Sequence, residues 1–135
     1  MFDTAPIIYY IESNPHYISL VDIIFNTVLP NNAYFACSSV ISLTEVLTVP
    51  LRDGKDDIAK RYRQFLLNSK NFTTYSLDSF IAEKAADLRA RYDLKTPDAL
   101  QLATAVENNA TLFITNDLSL KKIKEVEVLV IKDYV

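Results

Sequence analysis

Two short apolar runs near the carboxyl end, Thr111–Thr115 and Val126–Ile131, do most to limit what this chain can fold into. Each is too short for a buried helix and reads as a strand buried on both faces. Only a helical turn, Leu118–Ile123, fits between them. Upstream, apolar residues recur at helical spacing instead. Ile7–Ile11 is a short apolar start, and Ile18, Val21, Ile24, Phe25 and Val28 mark an amphipathic helix. Asn14 is its expected cap, Pro15 its first residue and Pro30 its stop. Tyr34–Cys37 reads as a strand, and Ser42–Leu47 opens a helix that lies before Pro50. Lys55–Leu67 is the next helix, with Ile58, Tyr62, Phe65 and Leu66 on one side. Ser79–Tyr92 follows with Asp78 as its cap, and Thr96-Pro97 opens a helix running to about Asn108. Strands alternating with helices predict an α/β fold around a parallel sheet. Such sheets bind ligands beyond the carboxyl ends of their strands.

The chain has 135 residues, half of them hydrophobic, which predicts one domain spanning residues 1–135 with a sizeable core. No apolar run is long enough to span a bilayer, which takes about 20 residues, and no signal-peptide pattern opens the chain. The lone Cys37 excludes an internal disulfide and a cysteine zinc cluster. A cytoplasmic protein without membrane attachment is the expectation. The net charge of −3 excludes binding RNA by bulk positive charge. With four acids gathered in one site, however, the rest of the chain carries +1.

Four acids stand at junctions where such a fold places its ligands, and three have sufficient structural accounts of their own. Asp117 follows the Thr111–Thr115 run, where turns and caps favour Asp. Asp98 lies in Thr96-Pro97-Asp98, an acid in a first helical turn behind an expected Thr96 cap. Glu45 completes Ser42-Leu43-Thr44-Glu45, the spacing of a capping box. Asp3 precedes the apolar run Ala5–Ile11, where no clean helix start is evident, and a carboxylate beside core requires water, a partner or a metal. Gathered at one sheet edge, four carboxylates repel each other unless cations bind them. Mg²⁺ and Mn²⁺ take such oxygen ligands and activate water against phosphodiesters.

Several segments resemble the motifs of PIN-domain nucleases, particularly the VapC-like toxins. Asp3-Thr4-Ala5-Pro6-Ile7-Ile8-Tyr9-Tyr10 is similar to their opening motif, and Ser39–Leu47, with Glu45, to their second. Leu94–Ala105, containing Asp98, is very similar to the third, and Thr115-Asn116-Asp117 resembles the fourth. The resemblance implies a three-layer α/β/α fold with a central parallel sheet flanked by helices. It implies a metal-dependent endoribonuclease with one or two Mg²⁺ or Mn²⁺ ions. Asp3 and Asp98 would be the principal ligands, Glu45 and Asp117 would complete the cluster, and Thr4, Thr115 and Asn116 would support it. An antitoxin protein, a homodimer and an RNA substrate are the implied partners. In one respect the chain departs from the family: only Met1 and Phe2 precede Asp3, where relatives have a central strand. The expectation is a very short strand or a chain whose start lies upstream, with Asp3 loosely held.

Other chemistries fit poorly. A metal-independent ribonuclease uses a histidine base, and the only histidine, His16, falls in an expected first helical turn at the surface. Asp3-Thr4-Ala5 also resembles the nucleophile segment of haloacid-dehalogenase-type phosphatases, but Ala5 stands where they need a second Asp. Gly54, the only glycine, cannot make a phosphate loop. Arg89, Arg91, Lys95, Lys121 and Lys122 are the basic residues nearest the third and fourth motifs and the expected phosphate contacts. Apolar residues on the helices before Pro50 and over Ile58–Leu67 are expected core, dimer face or antitoxin groove. A PIN-like domain that binds RNA or protein without cutting, or one that cuts in RNA processing, is the alternative.

Overall fold

The computed structural model describes all residues from Met1 to Val135. Four strands, β1 (Ala36–Ser39), β2 (Phe72–Tyr75), β3 (Leu112–Thr115) and β4 (Glu127–Val130), pair in parallel as β1 with β2 and β3 with β4. The two halves are joined by the first residues of the chain. Phe2 N–H donates to the Cys37 carbonyl at 2.8 Å on one side. Asp3 N–H donates to the Ile114 carbonyl and Ile114 N–H to the Met1 carbonyl, each at 2.9 Å, on the other. Phe2 forms a parallel bridge with Ile114. The spatial order is therefore β2, β1, the Met1–Asp3 seam, β3, β4.

Six helices cover the sheet: α1 (Thr4–Ile11), α2 (Ile18–Val28), α3 (Val40–Arg52), α4 (Asp56–Asn68), α5 (Ser79–Tyr92) and α6 (Thr96–Glu107). Strand side chains alternate between faces, and the core divides accordingly. Met1, Cys37 and Phe113 face one way, packing with Leu88 of α5 and Leu102 of α6. Phe2, Ala36, Phe72 and Ile114 face the other, packing with Ile7 of α1, Phe25 of α2 and Tyr62 of α4. Phe2 stacks on Phe25 with ring centroids 4.3 Å apart. This is the α/β fold expected, with helices on both faces of a parallel sheet.

Several local expectations are corrected. The segment after Asp3 is a helix, α1, with Asp3 in extended conformation as its N-cap accepting from Thr4 N–H. Helix α2 begins at Ile18 rather than Pro15, because Asn14–Tyr17 forms a turn in which the Asn14 side chain accepts from His16 N–H. His16 is exposed, as expected. Ser39, not Ser42, caps α3, and the helix runs on through Pro50 to Arg52. Thr96 lies inside α6, whose cap position is Lys95. Strand β2 was not foreseen, and β1 sits two residues later than Tyr34–Cys37. The seam is very short, but against the expectation of a loosely held Asp3 it is firmly seated: Phe2 is 2% exposed and bonded to Cys37, and Asp3 is held from β3 by the Ile114 carbonyl and the Thr115 hydroxyl. No helix is long and apolar enough to cross a membrane.

Candidate active site

From the seam the chain proceeds to β1 and β2 on one side, then returns to β3 and β4 on the other. The switch in direction lies between the seam and β3, and parallel sheets place their ligand crevices beyond the strand ends at such a point. Asp3 ends the seam there, and Asp117 follows β3 after Asn116. Glu45 comes from α3, one and a half turns past β1, and Asp98 from the first turn of α6.

Asp3 is the most tightly held of the four. Thr115 Oγ1 donates to its Oδ2 at 2.7 Å and Thr4 N–H to its Oδ1 at 2.8 Å. Burial pushes its pKa above the ordinary carboxylate range; the two hydrogen bonds oppose that rise, and the charge of Asp117 adds to it. Glu45 is raised by burial as well, against a hydrogen bond from Thr4, with Asp3 and Asp98 adding repulsion. Asp98 is raised by burial and then by Asp3 and Asp117, while Lys95 opposes. The four carboxylates thus act on one another, as expected of acids brought to one sheet edge.

They do not form a closed cage: no group of three or more His, Cys, Asp or Glu side chains is set to hold an ion together. The donor set still suits one kind of ion. Mg²⁺ keeps several waters and takes only one or two carboxylates directly, so partly water-linked hard oxygen donors fit it and its Mn²⁺ analogue. Soft metals find no thiolate, because Cys37 is buried in the core.

Each expected support is placed by contacts. Besides holding Asp3, Thr115 Oγ1 accepts from Asp117 N–H at 3.1 Å, tying two of the acids to one fully buried residue. Asp117 in turn caps the 3₁₀ turn Leu118–Lys122 by accepting from Ser119 N–H. Thr4 Oγ1 donates to Glu45 Oε1 at 3.1 Å. Asn116 supports the loop differently: its amide donates to Tyr9 O–H at 2.9 Å and its carbonyl accepts from Lys132 N–H at 3.0 Å. Glu45 does not close a capping box, since Ser42 is a buried interior residue of α3.

Most of the expected phosphate contacts are engaged elsewhere. Arg91 pairs with Asp87 at 2.7 Å and Glu125 at 2.5 Å, and Lys121 pairs with Asp133. Arg89 Nε donates to the Leu94 carbonyl at 3.0 Å, bracing the loop that leads into α6. Lys95, which opposes the rise at Asp98, is the cation electrostatically linked to the acids, and Lys122 is in no ion pair.

Beneath the acids lies a group of polar side chains that sequence reasoning missed. Ser38, Ser39, Ser42 and Gln101 are each at most 1% exposed. They are bonded to one another and to Thr4. The available signal was spacing: Ser42 precedes Glu45 by three residues and Gln101 follows Asp98 by three, so each shares a helix face with an acid.

Comparison with known proteins agrees with the fold. The PIN domain family model matches residues 1–126. The chain belongs to the PIN domain family. Among solved structures, this PIN domain is similar in fold to a chain of VapBC2 from Rickettsia felis bound to a DNA fragment from their promoter, with a TM-score of 0.76 and 18% identity over 96% of each chain. A chain of a toxin–antitoxin complex from Klebsiella pneumoniae gives a TM-score of 0.71 and 24% identity over 96% of this PIN domain and 95% of that chain. A chain of DNA-bound VapBC from Salmonella typhimurium gives 0.64 and 19%, over 97% and 96%. No curated protein matches by sequence.

Proposed function

We propose that this PIN domain is a Mg²⁺- or Mn²⁺-dependent endoribonuclease and the toxin of a toxin–antitoxin pair. The mutual repulsion of Asp3, Glu45, Asp98 and Asp117 at the sheet's switch point carries the nuclease reading. Asp3, Glu45 and Asp98, held above their ordinary pKa by burial and then by neighbouring acids, gain most from a cation, and perturbed groups of this kind cluster at functional sites. Asp3 and Asp98 are the proposed principal ligands, with Glu45 and Asp117 completing the set directly or through water. A divalent ion there supplies a water of lowered pKa and neutralises charge on the scissile phosphate. The chain's own groups do the rest. Thr115 and Thr4 N–H fix both oxygens of Asp3. Glu45 Oε1 is held by Thr4, and its raised pKa suits Oε2 to take a proton from the attacking water. Lys95 is a contact for the RNA phosphate.

The partner readings rest on the solved complexes of similar fold, which contain antitoxins, and on apolar residues left exposed on α3 and α4. Val49, Leu51 and Leu67 are each about half exposed. An antitoxin and a second copy of the chain are the proposed occupants of such surfaces. The deciding experiment incubates purified protein with total RNA, with Mg²⁺, with Mn²⁺ and with excess EDTA, beside Asp98→Asn. Cleavage that needs metal and vanishes in the variant is expected. Full activity in EDTA or in Asp98→Asn refutes the reading. The lack of a closed three-acid cage favours a second reading, a domain that binds RNA without cutting. Retained RNA with no cleavage in any metal would select it.

A further inference from the structure

Four buried polar side chains beneath a site are costly unless every donor and acceptor is matched. Here no buried side-chain nitrogen or oxygen lacks a partner, and the matching has a direction. Ser39 Oγ accepts from Ile41 N–H as the α3 cap and gives its proton to Gln101 Oε1 at 2.7 Å. This fixes which end of the Gln101 amide points inward. Gln101 Nε2, which can only donate, lies 2.7 Å from Ser42 Oγ and 3.4 Å from Thr4 Oγ1. Ser38 Oγ is placed as a donor to both the Phe2 carbonyl and Ser42 Oγ, each at 2.9 Å. Approached by Gln101 and Ser38 as donors, Ser42 uses its own proton toward Thr4, at 2.9 Å. Thr4, approached by donors, is left to give its proton to the one partner that can only accept, Glu45 Oε1.

We propose that Gln101 is a positioning residue for the candidate site, acting through Ser42 and Thr4 to keep the Thr4 hydroxyl turned toward Glu45. The inference rests on the nuclease reading above. Gln101 touches no substrate. It occupies one lone pair of Ser42 while Ser38 approaches the other, so Ser42 meets Thr4 as a donor and does not compete for the Thr4 proton. Glu45 Oε1 is then always satisfied, and Oε2, which has no hydrogen bond within the chain, keeps a single orientation. Removing the donor lets Thr4 turn to Ser42 and frees Glu45 to rotate.

The test uses Gln101→Met, of similar length without a donor, and Gln101→Glu, of the same shape with an acceptor in place of the amide. Three readouts are taken: Mn²⁺ affinity by titration calorimetry, kcat and KM on an RNA oligonucleotide, and thermal midpoint. Both variants should lose about 10-fold or more in Mn²⁺ affinity or kcat, the range of outer-shell substitutions, with KM for RNA little changed. In a Thr4→Val background, where the relay is already cut, Gln101→Met should cost nothing further; independent contributions would instead add. Wild-type cleavage with undiminished Mn²⁺ affinity and kcat in both folded variants overturns the positioning role and leaves the nuclease reading standing. Additive losses in the double variant do the same. A wild-type protein that neither binds Mn²⁺ nor cleaves RNA overturns both.

Discussion

Thr115→Val tests how the central acid is held. The change keeps the volume of a fully buried side chain and removes only its hydroxyl. Two contacts go with it: the 2.7 Å donation to Asp3 and the 3.1 Å acceptance from Asp117 N–H. A hydrogen bond to a charged group contributes about 1.5–3 kcal/mol, and a neutral one about 0.5–1.5 kcal/mol. Water can replace Thr115 at Asp117, which is exposed, so the Asp3 contact dominates. The expected loss is about 2–3 kcal/mol when Asp3 is ionised and about 1 kcal/mol when it is protonated. The pH sign follows from Asp3 having a folded pKa above its ordinary value. The folded state then binds the extra proton, so stability is greatest at low pH and falls as pH rises through the raised pKa. Removing the Thr115 bond, which opposes that rise, steepens the fall. Urea unfolding of wild type and variant in EDTA, at stepwise pH values from the ordinary carboxylate range upward into the alkaline range, measures both effects. The variant's deficit should at least double between the lowest pH and the highest. An equal deficit throughout, or one under about 1 kcal/mol at the highest pH, refutes a charge-assisted bond.

Other outcomes follow from the same geometry. In the metal-free protein, Asp3, Glu45 and Asp98 all have raised pKa values, so the thermal midpoint should climb as pH is lowered from neutral toward the ordinary carboxylate range. Saturating Mg²⁺ or Mn²⁺ should flatten that slope and stabilise the neutral-pH protein by about 2.7 kcal/mol at a concentration 100 times Kd. A slope unaffected by metal would contradict the shared site. Asp98→Asn should raise the metal-free thermal midpoint at neutral pH by removing a repelled charge; a lowered midpoint would show that its helix-dipole contribution prevails. Phe2→Ala, which empties a 2% exposed position stacked on Phe25, should cost about 3–5 kcal/mol in chemical denaturation. A cost below about 1 kcal/mol would mean that the seam is not anchored by its side chain.

Where local chemistry and global packing agree, the chain was readable. Helix α5 is found at Ser79–Tyr92 with Asp78 as its cap, because an unambiguous cap precedes an amphipathic run. Strands β3 and β4 stand out as apolar runs. Strand β2, Phe72-Thr73-Thr74-Tyr75, lies at the sheet's edge with only Phe72 buried, so it carries little apolar signal. Helix α1 was hidden because Asp3 serves as cap and candidate ligand at once. The acids themselves were legible through motif order. The polar layer under them was not: Ser38, Ser39, Ser42 and Gln101 are ordinary surface residue types, and only tertiary contact shows that they are enclosed.

The seam has a consequence for how the protein is made. The Met1 amino group donates to the Leu112 carbonyl at 2.6 Å, across 111 positions of sequence. Met1–Asp3 therefore have no sheet partner on one side until β3 has been synthesised. Until then Asp3 lacks Thr115, and Asp117 does not yet exist. Long-range closures of this kind are slow steps in folding. While the segment between the seam and β3 is being made the acidic centre is unassembled, and the site is completed only when β3 joins the seam.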